Sequence, residues 1–239
     1  IDSASLCGTC HDIVTQKGVH LERTYQEWKD SLFSHPTPNE QATCGSCHMP
    51  GKDDTAANYP GVLLRRVHDH KMAGVDIALD PFPQQEEQKA EVQRLLDFTV
   101  FPELCVISNA GQTKVSLTLE NIGAGHSWPS GAAHDRRAWV ELIAYDSDNN
   151  EIFATGVVPD GVALRSLDDP HLWQFGDRGF DEDGNEVHMF WEIASIESDL
   201  LPAPTASSFT DPDYIDTHRT REFLIESTDV ARVSTRVRI

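Results

Sequence analysis

The chain has 239 residues, 39 acidic against 19 basic, and a net charge of −20 with the histidines counted neutral. Such a field repels nucleic acid and anionic membrane surfaces, and no apolar run approaches the ~18 residues of a membrane span. What remains to be read is in the five cysteines and eleven histidines.

Four of those cysteines fall in two copies of one pattern, Cys7-Gly8-Thr9-Cys10-His11 and Cys44-Gly45-Ser46-Cys47-His48. Cys-x-x-Cys-His is the attachment pattern of c-type haem: the two thiols form thioethers to the porphyrin, and the imidazole binds iron. A thioredoxin-like pair needs neither the trailing His nor a second copy, and a four-Cys zinc site leaves both His residues unexplained. Two covalently bound haem c groups are therefore expected, with His11 and His48 as proximal ligands. Attachment takes place outside the cytoplasm, so a periplasmic or extracellular location is expected, with a signal peptide removed near Ile1.

Between the motifs, the run from Thr24 to Leu32 reads as a helix opened by a capping box of Thr24 and Glu27, with Tyr25, Trp28 and Leu32 on one face. Pro36 and Pro38 end it. A second helical run is expected from about Gln84 to Asp97, started by Pro83 and striped by Val92, Leu95 and Leu96. From Phe98 the period changes to two. Strands are expected at Phe98–Ser108, Thr113–Glu120, Arg137–Asp146, Glu151–Val157, Glu186–Glu192, Arg219–Glu226 and Val230–Ile239. Cys105, in the first of these, is expected to be a buried small hydrophobe. The turns opening at Asp146 and Asp181 begin like calcium loops but lack Gly at the sixth position, which favours ordinary solvated turns.

The expected fold class is α+β: a small α-helical and loop di-haem domain over residues 1–97, followed by an antiparallel immunoglobulin-like β-sandwich over residues 98–239, possibly cut short at its C-terminal end. The second part is the more acidic, with ten basic residues against twenty-four acidic, compared with nine against fifteen in the first.

Opposite each proximal His, a second His or Met makes an electron carrier, whereas an open position lets substrate bind. His20, His35, His68, His70 and His126 are the candidates. Gly125 and Gly131 around His126 would let backbone approach a flat cofactor, and Trp128 could stack on it. The two motifs, the Thr24–Ser31 segment, His70-Lys71-Met72-Ala73-Gly74 and Asn121 to Gly131 followed by Arg136-Arg137-Ala138-Trp139 together resemble the di-haem unit of secreted bacterial multihaem c-type cytochromes. The resemblance covers most of the chain and implies two low-spin haems with His70 and His126 as distal ligands, His35 and His68 standing in reserve. It also implies Trp28 and Arg136 or Arg137 beside the cofactors, the arginines pairing with propionates.

The leading expectation is a cytochrome relaying single electrons, more a carrier than an enzyme, with redox partner proteins that present basic docking surfaces. A haem enzyme with one open iron, a peroxidase or small-oxyanion reductase, is the alternative. A third is an interaction module that docks the haem pair onto a larger assembly, a homo-oligomer included.

Overall fold

The computed structural model describes residues 3–34, 41–159 and 161–239; the reserve ligand His35 and the helix-ending Pro36 and Pro38 lie outside them. The first motif begins in α1 (Ser3–Gly8), followed by the two-stranded ribbon of β1 (Ile13–Val14) and β2 (His20–Glu22). Next come α2 (Thr24–Lys29), a 3-10 turn at Leu32–Ser34, and α3 (Cys44–His48), which is the second motif itself. A hairpin of β3 (Gly51–Thr55) and β4 (Leu64–His68) and the helix α4 (Gln85–Leu96) complete this part.

This corrects the expected helical di-haem domain. Among the described residues the protein is mostly antiparallel sheet and 19% helical, with no helical di-haem domain. Helices of five or six residues cannot stand alone in water, so α1, α2 and α3 exist because the rest of the chain holds them. Nor does the capping box form: Arg23 precedes α2 without a side-chain cap, and Thr24 and Glu27 bond elsewhere.

The strands that follow are β5 (Val100–Asn109), β6 (Gln112–Asn121), β7 (Ala138–Tyr145), β8 (Glu151–Thr155), β9 (Trp173–Phe180), β10 (Glu186–Val187), β11 (Ser195–Asp199), β12 (His218–Ile225) and β13 (Arg232–Arg238). One sheet runs β12-β6-β5; the other runs β10-β9-β7-β13, with β11 pairing β9 and β8 pairing β7. Alternation is clean in β6, whose Val115, Leu117, Leu119 and Asn121 are fully buried. They meet Val140, Leu142, Phe175 and Phe223 in one core drawn from both sheets.

The expected immunoglobulin-like sandwich is also corrected: the sheet is a curled half-barrel. The reason is visible at β5, an edge strand exposed along nearly its whole length on both faces, Leu104 and Val106 included. No second layer closes over it. Cys105, on this strand, is therefore exposed rather than buried. Among the described residues no helix is long and apolar enough to cross a membrane.

Candidate haem site

Each Cys-x-x-Cys-His motif winds into a helical turn. In the first, the His11 N–H donates to the Cys7 carbonyl at 3.0 Å, and in the second, the motif is α3. Residues i and i+3 share a face in such a turn, so the two thiols of each motif can reach one ligand. Gly8 lets the turn lie against Tyr25; a Cβ there would sit 2.5 Å from the ring. Tyr25 in turn stacks on Trp28, ring centres 5.8 Å apart, and the Trp28 indole donates to the Ala42 carbonyl just ahead of the second motif. The helix face read from sequence thus ties the two motifs together.

Both motifs open onto one cavity of about 320 Å³, lined by Cys7, His11, Cys44, Cys47, His48 and, from the far side, His126. Trp28, Trp128 and Arg136 also line it. Cys10 is exposed and outside this lining. Burial, with the neighbouring Cys7 thiol, pushes the Cys44 thiol up to about 11, so it is held as S–H at neutral pH.

The imidazoles of His48 and His126 have ring centres 6.4 Å apart and planes 12° from parallel. Each uses Nδ1–H as a donor to a backbone carbonyl: His48 to Ala73 at 2.6 Å, His126 to Ser127 at 2.8 Å. That arrangement fixes the tautomer and leaves both Nε2 lone pairs available, as outer partners of metal-bound histidines do. Burial, opposed by the bond to Ser127, lowers the His126 pKa to about 4, with the neighbouring His48 and His11 adding to the fall. At neutral pH the ring is uncharged.

His126 is carried by the loop after β6, and that loop is clamped. The fully buried Asn121 donates to the His126 carbonyl at 2.6 Å and to Pro202 at 3.2 Å, and accepts from Ala124 at 3.1 Å. From the other side, Glu27 accepts from the Ser127 N–H and the Ser130 hydroxyl, and Thr24 bonds Ser130. Trp128 exchanges two backbone bonds with Leu201.

Of the other predicted residues, His70, His68 and Arg137 lie outside the cavity lining. His70 is exposed beyond β4 and outside the cavity lining; the segment reaches the site through the Ala73 carbonyl instead. His68, also exposed, bonds the Met49 carbonyl at 2.8 Å. Arg136 pairs with Asp76 at 2.6 Å and donates to the Ser130 carbonyl, while Arg137 turns outward to the Val162 carbonyl. The carboxylates of Asp146 and Asp181 accept bonds from their own turns, at Asn150 and Asn185, as solvated Asx turns do. Sequence reasoning missed Asn121 as a clamp, Glu27 as a tether and Ala73 as a carbonyl partner.

This fold has a solved counterpart. The chain is similar to a penta-heme cytochrome c552 from Thermochromatium tepidum, with a TM-score of 0.58 and 19% identity over 98% of this chain. At that identity the likeness is one of fold, and it is a multihaem cytochrome-like fold. The chain spans 47% of the length of that protein. A DUF1425 family member from Shewanella sp. pv-4 aligns with 59% of this chain and 75% of its own at 14% identity, but a TM-score of 0.25 is too slight to bear on the fold. No protein-family model and no curated protein matches.

Proposed function

We propose that the chain is a di-haem c-type cytochrome that relays single electrons between redox proteins outside the cytoplasm. The observation that carries this is the convergence of both attachment motifs on one cavity, with His126 set parallel to His48 across it. Two imidazoles on opposite sides of one iron, with metal–nitrogen bonds of about 2.0 Å, have ring centres roughly 6 Å apart. The spacing present between His48 and His126 suits that arrangement.

Cys7 and Cys10 would hold one haem and Cys44 and Cys47 the other, with His11 and His48 as proximal ligands. His126 would serve as the second ligand to the iron that His48 would hold. Haem iron supplies one-electron exchange. The protein's part would be to hold the His48 and His126 imidazoles in place, through the Ala73 and Ser127 carbonyls. Trp28 and Trp128 wall the cavity, and Arg136 is placed to pair with propionates. The surface charge suits partners with basic docking faces.

A second reading rests on the placement of His70. It is the ligand that the resemblance implies for the remaining iron, yet it stands exposed and apart from the cavity. An iron held by His11 with an open face would make the protein a haem enzyme.

Intact mass and optical spectroscopy of the purified protein decide between these. A mass two haems above the polypeptide, with a low-spin spectrum unmoved by carbon monoxide, supports the carrier. A shift of one haem by carbon monoxide supports the enzyme, and a bare polypeptide mass without Soret absorbance removes both.

A further inference from the structure

The two motif histidines differ in what meets their Nδ1. His48 donates to a neutral backbone carbonyl, that of Ala73, at 2.6 Å. His11 Nδ1 instead lies 3.9 Å from a carboxylate oxygen of Glu22, whose side chain is only 12% exposed. Backbone pairing brackets this contact. Glu22 ends β2 and pairs with Ile13 of β1, two residues beyond His11, and the Tyr25 N–H at the start of α2 donates to the His11 carbonyl at 3.0 Å. Glu22 and His11 both line the cavity onto which the motifs open.

A carboxylate so nearly buried needs a counter-group. The adjacent cation does not supply one: Arg23 is turned to Asp12, its Nε 2.6 Å from Oδ1, and to the His20 ring. Among the described residues the Glu22 carboxylate has no partner besides His11. A neutral His11 that uses Nε2 as a ligand carries its proton on Nδ1, the atom nearest Glu22. The carboxylate is thus placed to accept from the ring, as outer partners of metal-bound histidines do.

We propose that Glu22 is a positioning residue that orients His11 and, by its charge, makes the haem of the first motif the lower in potential of the pair. The inference rests on the di-haem reading above. A nearby negative charge favours ferric over ferrous iron, and a carboxylate partner raises the basicity of the ligating imidazole more than the neutral carbonyl that serves His48. On reduction one electron arrives from a reduced partner protein and turns ferric iron ferrous. The His11 proton stays on Nδ1 throughout, so no proton is taken up. Electrons then run downhill from the His11 side to the His48 side.

The test is a spectroelectrochemical titration of the holoprotein at neutral pH, with dithionite as reductant and ferricyanide as oxidant. Glu22→Gln keeps the size of the side chain and removes its charge. A tenfold loss of preference for ferric iron should raise one midpoint by about 59 mV for a one-electron couple and leave the other in place. Combining it with His126→Ala identifies the haem: the midpoint that moves should belong to the haem that His126→Ala leaves untouched. Glu22→Asp, which keeps the charge, should return the midpoint close to that of the parent. Unmoved midpoints in Glu22→Gln overturn the proposal, as does movement of the haem that His126→Ala alters. An equal rise in Glu22→Asp also overturns it and assigns the effect to packing. Should Glu22→Gln fail to take up haem, coincident midpoints in the parent, or a rise of that size in Glu22→Asp, overturn it instead. A parent without haem sinks the di-haem reading and this inference with it, whereas unmoved midpoints in a protein carrying both haems sink the role of Glu22 alone.

Discussion

Replacing Asn121 with Ala tests whether the β-sheet region holds the distal ligand in place. Asn121 is fully buried and makes three side-chain bonds, to the carbonyls of His126 and Pro202 and from the Ala124 N–H. Each net bond contributes about 1 kcal/mol, and buried partners left unpaired add to the loss, so the substitution should cost about 3 kcal/mol. In a chain of this size that lowers Tm by roughly 6–12 °C. Because two of the three bonds hold the segment from Ala124 to His126, most of the loss should fall on that loop and shift the balance between bound and unbound His126 by about two powers of ten. The assay is carbon monoxide binding to the reduced protein, run beside denaturant unfolding. One haem should become reactive to carbon monoxide in Asn121→Ala but not in the parent. Unfolding within 0.5 kcal/mol of the parent, with an unaltered low-spin spectrum, would refute the reasoning.

His126→Ala should convert one of the two haems to a high-spin form and leave the other untouched, as read by paramagnetic resonance of the oxidised protein. Gly123→Ala would place a Cβ 2.0 Å from the Phe98 carbonyl oxygen, where backbone cannot give way, and should destabilise by more than about 2 kcal/mol in urea unfolding. Cys105→Ser, on the open edge strand, should change stability by less than about 0.5 kcal/mol and leave the haem content by mass unaltered. In the haem-free polypeptide, His126 must gain a proton on unfolding between its folded value of about 4 and its usual 6.5. Its contribution is therefore complete above pH 6.5 and is lost as pH falls toward 4, a loss of up to about 3 kcal/mol. Denaturant midpoints of the parent and His126→Ala should converge at the acid end, and parallel curves would count against it.

The two Cys-x-x-Cys-His motifs were legible because the pattern is local: five residues in a row state it without reference to the fold. Strands from Phe98 onward were legible where β-branched residues alternate, as in β6. Two escaped. β9 reads Trp-Gln-Phe-Gly-Asp-Arg-Gly-Phe, with two glycines and a charged centre, and β11 reads Ser-Ile-Glu-Ser-Asp; both are strands through pairing with each other and not through propensity. The exposure of β5 was illegible for a related reason, since alternation reports that a face is apolar and not whether anything covers it. Ala73 escaped altogether, because a backbone carbonyl leaves no mark on the side-chain sequence.

The short helices and the clamped loop belong to one physical argument. A five-residue helix has too few internal bonds to hold a proximal His by itself, and α3 borrows rigidity from Ala73 on one side and from the Trp28–Ala42 contact on the other. The opposing His126 is braced by a core residue of β6 and by Glu27 of α2. A helix from the motif region and a strand from the sheet region thus grip the same loop from two directions. Prising the regions apart would draw His126 away from His48 before it broke either motif. That order of failure follows from where the hydrogen bonds lie: His11 and His48 are local to their cysteines, whereas His126 depends on contacts about a hundred residues apart, between Glu27 and Ser127. Progressive denaturation should therefore expose a high-spin, still covalently attached haem before the sheet core of Val115, Leu117 and Leu119 unfolds.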